Sequence, residues 1–112
     1  MVGAVAQNPS HRLFCFGLGY TALALIDALR TDGGDAGAWR VGGTCRRRDE
    51  AAALRDRGIE VFVFDGAKPM EDAPQTLEGA TDILVSIAPT DEGDVVLRHH
   101  LRDIAALASA AP

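Results

Sequence analysis

Residues 13–22 read Leu-Phe-Cys-Phe-Gly-Leu-Gly-Tyr-Thr-Ala, and residues 23–29 continue directly as Leu-Ala-Leu-Ile-Asp-Ala-Leu. The first four apolar residues predict a buried strand, and the pattern Gly-x-Gly-x-x-Ala predicts a tight turn into a helix. Gly17 allows the chain to leave the strand sharply, because glycine adopts backbone angles that other residues avoid. Ala22 has a side chain small enough for the helix to lie close to the sheet. The stretch therefore predicts the strand–turn–helix unit that opens a doubly wound α/β fold.

The same turn has the chemistry of a phosphate-binding site. Gly19 has no Cβ, so the backbone there can come close to a pyrophosphate. The N–H groups at the start of the helix and the helix dipole both favour a negative charge at this point. We therefore expect the turn to bind a dinucleotide cofactor. A turn that only joins the strand to the helix is the alternative interpretation.

Length and composition predict a single soluble, globular domain. The 112 residues are 47% hydrophobic and 24% charged, a balance typical of a chain that buries one core. We expect residues 1–11 to form a flexible leader and residues 12–112 to form the domain. The formal net charge of −5 argues against nucleic acid and anionic membranes as partners. The first ten residues do not resemble a secretory signal, and no apolar run approaches the ~20 residues that span a bilayer.

Cysteine usage indicates a reducing compartment. The two cysteines, Cys15 and Cys45, do not form a Cys-x-x-Cys pair, and Cys15 lies within an apolar strand. Buried free thiols are therefore expected, rather than a disulfide or a catalytic thiol. The cytoplasm is the expected location.

Strands and helices are predicted to alternate along the chain. Strands are expected at residues 12–16, 39–44, 59–64 and 82–87. Helices are expected at residues 20–30, at residues 49–57 and after Asp94, which caps the last helix. The residues expected to face inward are Ala52, Ala53 and Leu54 on the second helix, and Leu97, Leu101, Ile104 and Ala108 on the last. The continuous apolar strands favour a Rossmann-type three-layer α/β fold, with a parallel sheet in the order 3-2-1-4.

The fourth strand would lie at an edge of this sheet, yet Ile83, Leu84 and Val85 make it as apolar as a central strand. An uncovered apolar edge invites pairing with another chain. A complete doubly wound domain continues with further strands beyond this position. We therefore expect an incomplete doubly wound domain, the front part of a larger fold, or an edge that self-association or a partner strand covers.

The second strand ends at Thr44, and the three arginines Arg46, Arg47 and Arg48 follow closely. A site specific for NAD has an acidic residue at this position, which accepts hydrogen bonds from the ribose. Guanidinium groups instead pair with a 2′-phosphate, so the sequence favours NADP, with NAD as the second candidate. We expect Arg46 and Arg47 to contact the phosphate and Thr44 to supply a hydroxyl. A solvated basic surface at the start of a helix is the alternative.

Two further positions follow strand ends on the same side of the sheet. Asp65 follows the third strand, where a carboxylate can accept a hydrogen bond from the adenine amino group or cap the next turn. Both roles of Asp65 stay open. Ile87, Ala88 and Pro89 leave the fourth strand, and their backbone should pass beside the pyrophosphate and the nicotinamide ribose.

No metal site or catalytic residue is predicted. His99 and His100 are neighbours on a helix, so they point roughly 100° apart and do not form a metal pair. A surface or packing role is expected for both. The acidic residues between 91 and 94 lack the spacing of a calcium loop. The sequence has no Gly-x-x-x-x-Gly-Lys-Ser/Thr element, which excludes a P-loop.

Several stretches together resemble an established family, and they extend through nearly all of residues 13–112. They are residues 16–22, 39–47, 64–66, 83–89 and 93–94. The combination is similar to the N-terminal part of atypical extended short-chain dehydrogenases/reductases. These proteins are often described as NAD(P)-dependent epimerase/dehydratase-like or nucleoside-diphosphate-sugar epimerase-like. Phe16 and Ala22 stand where the usual pattern Gly-x-x-Gly-x-x-Gly has glycine, so the similarity is to the atypical branch.

The resemblance implies a role for each stretch. The pyrophosphate would be held at the turn formed by Gly17, Leu18, Gly19, Tyr20, Thr21 and Ala22. The adenosine ribose or its phosphate would be held by Thr44, Arg46 and Arg47, and adenine by Asp65. The nicotinamide side would be lined by Ile87, Ala88 and Pro89.

The chain departs from the family at its catalytic pair. The family's chemistry needs a Tyr-x-x-x-Lys pair, in which the tyrosine transfers a proton and the lysine lowers its pKa. The single tyrosine, Tyr20, and the single lysine, Lys68, do not form that pattern, and no substrate domain is recognised. The resemblance thus implies an NAD(P)-binding domain of an oxidoreductase or sugar-nucleotide epimerase/dehydratase-like protein that does not complete a catalytic cycle alone. The alternative is a non-catalytic dinucleotide-sensing or protein-interaction module that pairs through its fourth strand. A methyltransferase-like nucleoside site is disfavoured, because Thr21 interrupts the glycine pattern that such a site needs.

Overall fold

The structure is a computed structural model that describes residues 11–32, 39–88 and 93–110. The strands are β1 (His11–Phe16), β2 (Trp39–Cys45), β3 (Glu60–Val63) and β4 (Asp82–Val85). The helices are α1 (Tyr20–Asp32), α2 (Arg48–Arg55), α3 (Ala73–Leu77) and α4 (Val95–Ala110). The predicted flexible leader lies outside the described residues except for His11, which belongs to β1.

The strands pair in parallel throughout the described sheet, in the order β3-β2-β1-β4. Leu13 of β1 lies opposite Val41 of β2, and Phe16 lies opposite Val85 of β4. β1 is therefore hydrogen-bonded on both sides, which explains why residues 12–16 are all buried. The predicted Rossmann-like α/β fold and its strand order 3-2-1-4 are confirmed.

The sheet separates two apolar layers, because neighbouring residues of a strand point to opposite faces. The first layer packs α1 and α2 on the sheet, and its buried members include Leu13, Cys15, Ala22, Ile26, Val41 and Ala51. The second layer packs α3 and α4 on the other face, and its buried members include Phe14, Phe16, Phe64, Met70, Leu77 and Val96. The molecule thus has the three layers that the sequence predicts. In the described ranges, no helix combines the length and the apolar character needed to cross a membrane.

The inward face of α2 differs from the predicted one. Ala51 is buried and Leu54 is half-buried, whereas Ala52 and Ala53 are exposed. The face of α2 that packs on the sheet therefore starts at residue 51, one position earlier than predicted. On α4, the predicted inward position Ala108 has a side chain outside the described residues.

The predicted inward face of α4 is wrong at Leu97 and Leu101, which are 46% and 57% exposed. The face that packs on the core carries Val96, His100 and Ile104, spaced four residues apart, so the predicted inward position of Ile104 is confirmed. Because the polar residue His100 lies at the centre of this face, the pattern of hydrophobic residues alone points to Leu97 and Leu101 instead.

Arg12 places a buried guanidinium near the amino end of β1. Its Nη1 donates to the carbonyl oxygen of Glu78 at 2.8 Å, and its Nη2 donates to that of Thr76 at 2.7 Å. Its Nε lies 3.7 Å from a carboxylate oxygen of Glu60. Burial lowers the pKa of the Arg12 guanidinium, and the Glu60 carboxylate opposes that shift. One side chain thus joins β1 to β3 and to the carboxyl end of α3. The last carbonyl oxygens of a helix accept no hydrogen bond from the helix backbone, so they need a donor from elsewhere.

We expect Arg12→Met to lower the free energy of unfolding by about 3 kcal/mol, because it leaves the carbonyl oxygens of Thr76 and Glu78 without their donor and removes the buried cation beside Glu60. Urea denaturation of both proteins measures the change. Arg40→Met is the matched control, since Arg40 also pairs with Glu60, at 2.7 Å, but its side chain is 52% exposed. We expect this control to cost less than about 1 kcal/mol. Equal losses in the two variants would contradict the role assigned to Arg12.

Candidate functional site

A cleft of about 430 Å³ opens at the carboxyl ends of β1, β2 and β4. Open α/β sheets bind their ligands at this end of the strands. Most of the predicted cofactor-binding residues meet there, although the sequence separates them by up to about 70 positions. Those that line the cleft are Gly17, Leu18, Gly19, Thr44, Arg46, Asp65, Ile87 and Ala88.

The other predicted residues that the structure describes do not line this cleft. The Tyr20 side chain is 91% exposed, that of Ala22 is fully buried against the sheet, and that of Thr21 is exposed. These three residues offer only backbone N–H groups, which have no acceptor within the helix at its first turn. The Arg47 side chain does not line the cleft, and Pro89 lies outside the described residues.

Thr44 holds the turn between β1 and α1 in place. The Gly17 N–H donates to Thr44 Oγ1 at 2.9 Å, and the Leu18 N–H donates to the Thr44 carbonyl oxygen at 2.8 Å. The Thr44 side chain is fully buried. The sequence predicts that this hydroxyl contacts the cofactor; in the structure it accepts a hydrogen bond from the turn, and Thr44 also lines the cleft. Thr44 therefore fixes the position of the β1–α1 turn through these two hydrogen bonds.

Two glycines of the site are required by packing. Gly17 has a φ of +102°, and a Cβ there would lie 2.9 Å from Ile87 Cγ1. A Cβ on Gly43 would lie 2.4 Å from the carbonyl oxygen of Cys15 and 2.9 Å from the side chain of Leu18. Glycine at both positions lets the turn lie directly on the ends of the neighbouring strands.

Gly19 is a glycine that the fold does not require. A Cβ built there meets no atom within 4 Å, and its φ lies outside the left-handed region. Its carbonyl oxygen accepts the Leu23 N–H at 3.0 Å, so Gly19 is the residue from which α1 begins. The first turn of α1 has no acidic residue that would neutralise the positive end of the helix dipole. The space beside Gly19 therefore suits an anion.

Ser86 ties the end of β4 to the same turn through its side chain. Its Oγ donates to the carbonyl oxygen of Gly17 at 2.8 Å, and its N–H donates to that of Phe16 at 3.0 Å. β4 ends at Val85, two residues earlier than predicted. Ile87 and Ala88 therefore enter the cleft as irregular backbone.

The arginines after β2 differ in their surroundings. Arg47 is ion-paired with Asp49, at 3.1 Å, and its Nε lies 3.6 Å from Glu50. Arg46 lines the cleft, and among the described residues no acceptor lies within hydrogen-bond distance of its guanidinium. Arg46 is therefore the cation of the trio that remains available to a ligand in the cleft.

Asp65 occupies a turn that follows β3. Its Oδ1 accepts the Ala67 N–H at 2.9 Å, so the carboxylate does cap this turn. The residue is exposed and lines the cleft at the same time. Because the cap uses one oxygen, the other is open to a ligand, and the two predicted roles are compatible.

Two histidines of α4 hold the segment that carries Asp65. The Nε2 of His99 donates to the carbonyl oxygen of Gly66 at 2.9 Å. The Nε2 of His100 accepts the Met70 N–H at 3.0 Å, and its Nδ1 lies 2.9 Å from a carboxylate oxygen of Asp103. His100 is fully buried. The predicted packing role is confirmed for His100.

Neither cysteine is suited to nucleophilic chemistry. Both thiols are free and buried, as the sequence predicts. Burial raises the pKa of Cys15 to about 11. Burial also raises the pKa of Cys45, whose Sγ donates to the carbonyl oxygen of Arg47 at 3.1 Å. Across the part of the chain that the structure describes, no group of three His, Cys, Asp or Glu side chains is placed to hold a metal ion.

Comparison with known proteins supports the fold without adding an activity. No protein-family model matches the sequence, and no curated protein matches it. A solved structure described as a functionally unknown conserved protein from Silicibacter pomeroyi DSS is similar, with a TM-score of 0.67 and 38% sequence identity. The similarity covers 88% of this chain and 31% of that protein. The chain thus spans under a third of the length of the protein that it matches.

Alanine substitutions should separate the two glycines of the turn. We expect Gly17→Ala to lower the free energy of unfolding by about 2 kcal/mol, because its positive φ is unfavourable for alanine and Ile87 lies too close. Gly19→Ala should cost less than about 1 kcal/mol, the ordinary difference between glycine and alanine at a helix start. Urea denaturation measures both, and a larger loss for Gly19→Ala would show that the fold itself needs this glycine.

Proposed function

We propose that this chain is an NAD(P)-binding domain of an oxidoreductase, of the kind found in atypical extended short-chain dehydrogenases/reductases and epimerase/dehydratase-like proteins. The observation that carries the proposal is the open space at Gly19. Neither a steric contact nor a left-handed φ explains the absence of a side chain there. Close approach of a diphosphate to the backbone does explain it.

The surroundings of Gly19 support a diphosphate as the ligand. The N–H groups of residues 20–22 start a helix of 13 residues whose first turn has no acidic residue. Such an end attracts anions through both its free donors and its dipole. The hydrogen bonds that the turn donates to Thr44 and accepts from Ser86 fix its position before any ligand binds. The diphosphate would therefore meet donors that are already in position.

The rest of the cleft suits the two nucleosides. Arg46 would pair with the 2′-phosphate of NADP, and this is why we favour NADP over NAD. The second carboxylate oxygen of Asp65 would accept a hydrogen bond from the adenine amino group. Ile87, Ala88 and Pro89 would line the nicotinamide side, where the bound cofactor supplies or accepts a hydride.

Catalysis in this proposal needs residues beyond those described. Tyr20 is exposed outside the cleft, and Lys68 lies in a different groove, so they do not form a proton-transferring pair. The chain would therefore bind the cofactor, and substrate binding and proton transfer would fall to another part of the protein. The free, buried thiols support a reducing compartment, and we propose the cytoplasm.

Titration calorimetry with NADPH and NADH tests the proposal directly. We expect the chain to bind NADPH, and Gly19→Ala to weaken both cofactors without unfolding the protein. Arg46→Glu should weaken NADPH by about tenfold or more, equivalent to ~1.4 kcal/mol, and NADH much less, because only NADPH has the extra phosphate.

Arg102→Glu is the control for Arg46→Glu. It changes the net charge equally, and it lies on the exposed side of α4, outside the cleft. The control should bind both cofactors like the natural sequence. Absence of binding to either cofactor would refute the proposed function, and equal weakening of NADPH and NADH by Arg46→Glu would refute the preference for NADP.

The outer edge of β4 supports a second candidate, a protein-interaction module. The Ser86 N–H donates to Phe16 of β1, so alternation along the strand turns the backbone groups of Ile83 and Val85 away from β1. In the described sheet, β1 is the strand that pairs with β4, and Val85 is 39% exposed. Such an edge supports pairing with a second copy or with a partner strand.

Sedimentation velocity tests this second candidate. Self-association through β4 predicts a dimer that Val85→Lys converts to a monomer, since a charge on an edge strand opposes pairing. Val63→Lys is the matched control, because Val63 is 42% exposed on the opposite edge of the sheet. A natural chain that stays monomeric at high concentration would argue against self-association.

A further inference from the structure

A second groove, of about 390 Å³, runs along the outer edge of β3. Its walls include Arg48 and Arg55 from α2 on one face of the sheet, and Thr76 from α3 on the other. Its floor is the strand itself, at Val61 and Val63. Because the groove passes between helices on opposite faces, it lies at the edge of the sheet, and it adjoins the proposed cofactor cleft, with which it shares Phe64 and Asp65.

The backbone of β3 offers hydrogen bonds to this groove. The Phe64 N–H donates to the Cys45 carbonyl oxygen of β2 at 2.9 Å. The backbone groups of Phe62 therefore also point to β2, and those of Val61 and Val63 point the other way. The Val61 carbonyl oxygen accepts Nη2 of Arg55 at 2.8 Å. Within the described residues, the Val63 N–H and C=O have no partner.

The side chains of the groove are cationic and apolar. Arg48, Arg55 and Lys68 line it, and Lys68 is the single lysine of the chain. Among the described residues, neither Arg48 nor Lys68 has a carboxylate within ion-pair distance. Asp65 and Glu71 also line the groove, so the cations outnumber the carboxylates there, whereas the whole chain has a net charge of −5.

We propose that the outer edge of β3 binds an extended, acidic segment of a partner protein, which adds to the sheet as a further strand. Main-chain hydrogen bonds to Val61 and Val63 would align the segment, as in other cases of strand addition. Its carboxylates would pair with Arg48 and Lys68. An incoming N–H would replace Arg55 at the Val61 carbonyl, and the released guanidinium would gain a carboxylate. A second copy of this chain is a poorer occupant, because antiparallel pairing of two β3 strands would bring the cations of both copies together.

The probe is the acetylated and amidated peptide (Val-Glu)4, followed by fluorescence polarisation and by the backbone amide signals of residues 61–63. We expect it to bind and to shift those signals, and the matched peptide (Val-Lys)4 not to bind. The double variant Arg48→Glu, Lys68→Glu should bind (Val-Glu)4 about tenfold more weakly, which corresponds to the loss of two exposed ion pairs. Both residues are exposed, so this variant should fold normally.

Val63→Pro tests the hydrogen bonds separately from the charges. The Val63 N–H points away from β2, so proline should leave the β2–β3 pairing intact while it removes a donor from the groove. We expect this variant no longer to bind (Val-Glu)4 but still to bind NADPH. This result would distinguish the peptide-binding edge of β3 from the proposed cofactor site. The proposal is overturned if (Val-Glu)4 does not bind at millimolar concentration, if (Val-Lys)4 binds equally well, or if the double charge variant binds unchanged. Dimerisation of the natural chain through β3 would overturn it as well.

Discussion

Two hydrogen bonds from the β1–α1 turn to Thr44 are the constraint on which the proposed site depends. They fix residues 17 and 18 against the end of β2, and the bond from Ser86 fixes the same turn against the end of β4. The missing Cβ of Gly43 leaves room for Leu18 to lie directly over β2. The start of α1 is therefore held by the strands on both sides of β1. A donor group that is held in this way loses little further freedom when an anion binds to it.

The fold was largely predictable from the sequence, because alternating strands and helices with continuous apolar strands admit few arrangements. The cap of the last helix was equally local, and Asp94 Oδ1 accepts the N–H groups of Val96 and Leu97 at 2.9 and 3.1 Å. The role of Thr44 was not predictable, since it depends on the register of β2 against β1. The position of His100 was not predictable either. A histidine can occupy the core only when both ring nitrogens have partners, and one of those partners, Met70, lies 30 residues away.

Arginines show the same limit of sequence interpretation. Three of them bind backbone carbonyl groups: Arg12 at the end of α3, Arg30 at the carbonyl groups of residues 57 and 58, and Arg55 at the edge of β3. Arg47 instead pairs with neighbouring carboxylates, while Arg46 is left to the cleft. In sequence, Arg46 and Arg47 are adjacent and chemically identical. The difference between them arises from the turn that starts α2, which directs one side chain to the cleft and the other along the helix.

The hydrogen bond between Arg12 and Thr81 joins residues that are 69 positions apart. This separation has a consequence for folding during synthesis on the ribosome. β1 is made first, but the strand that covers its second edge, and the carbonyl groups that receive its buried cation, come much later. At 5–20 residues per second, that interval is roughly 3 to 14 seconds. During this time one edge of an apolar strand is unpaired, and an unpaired strand edge makes a chain prone to aggregation.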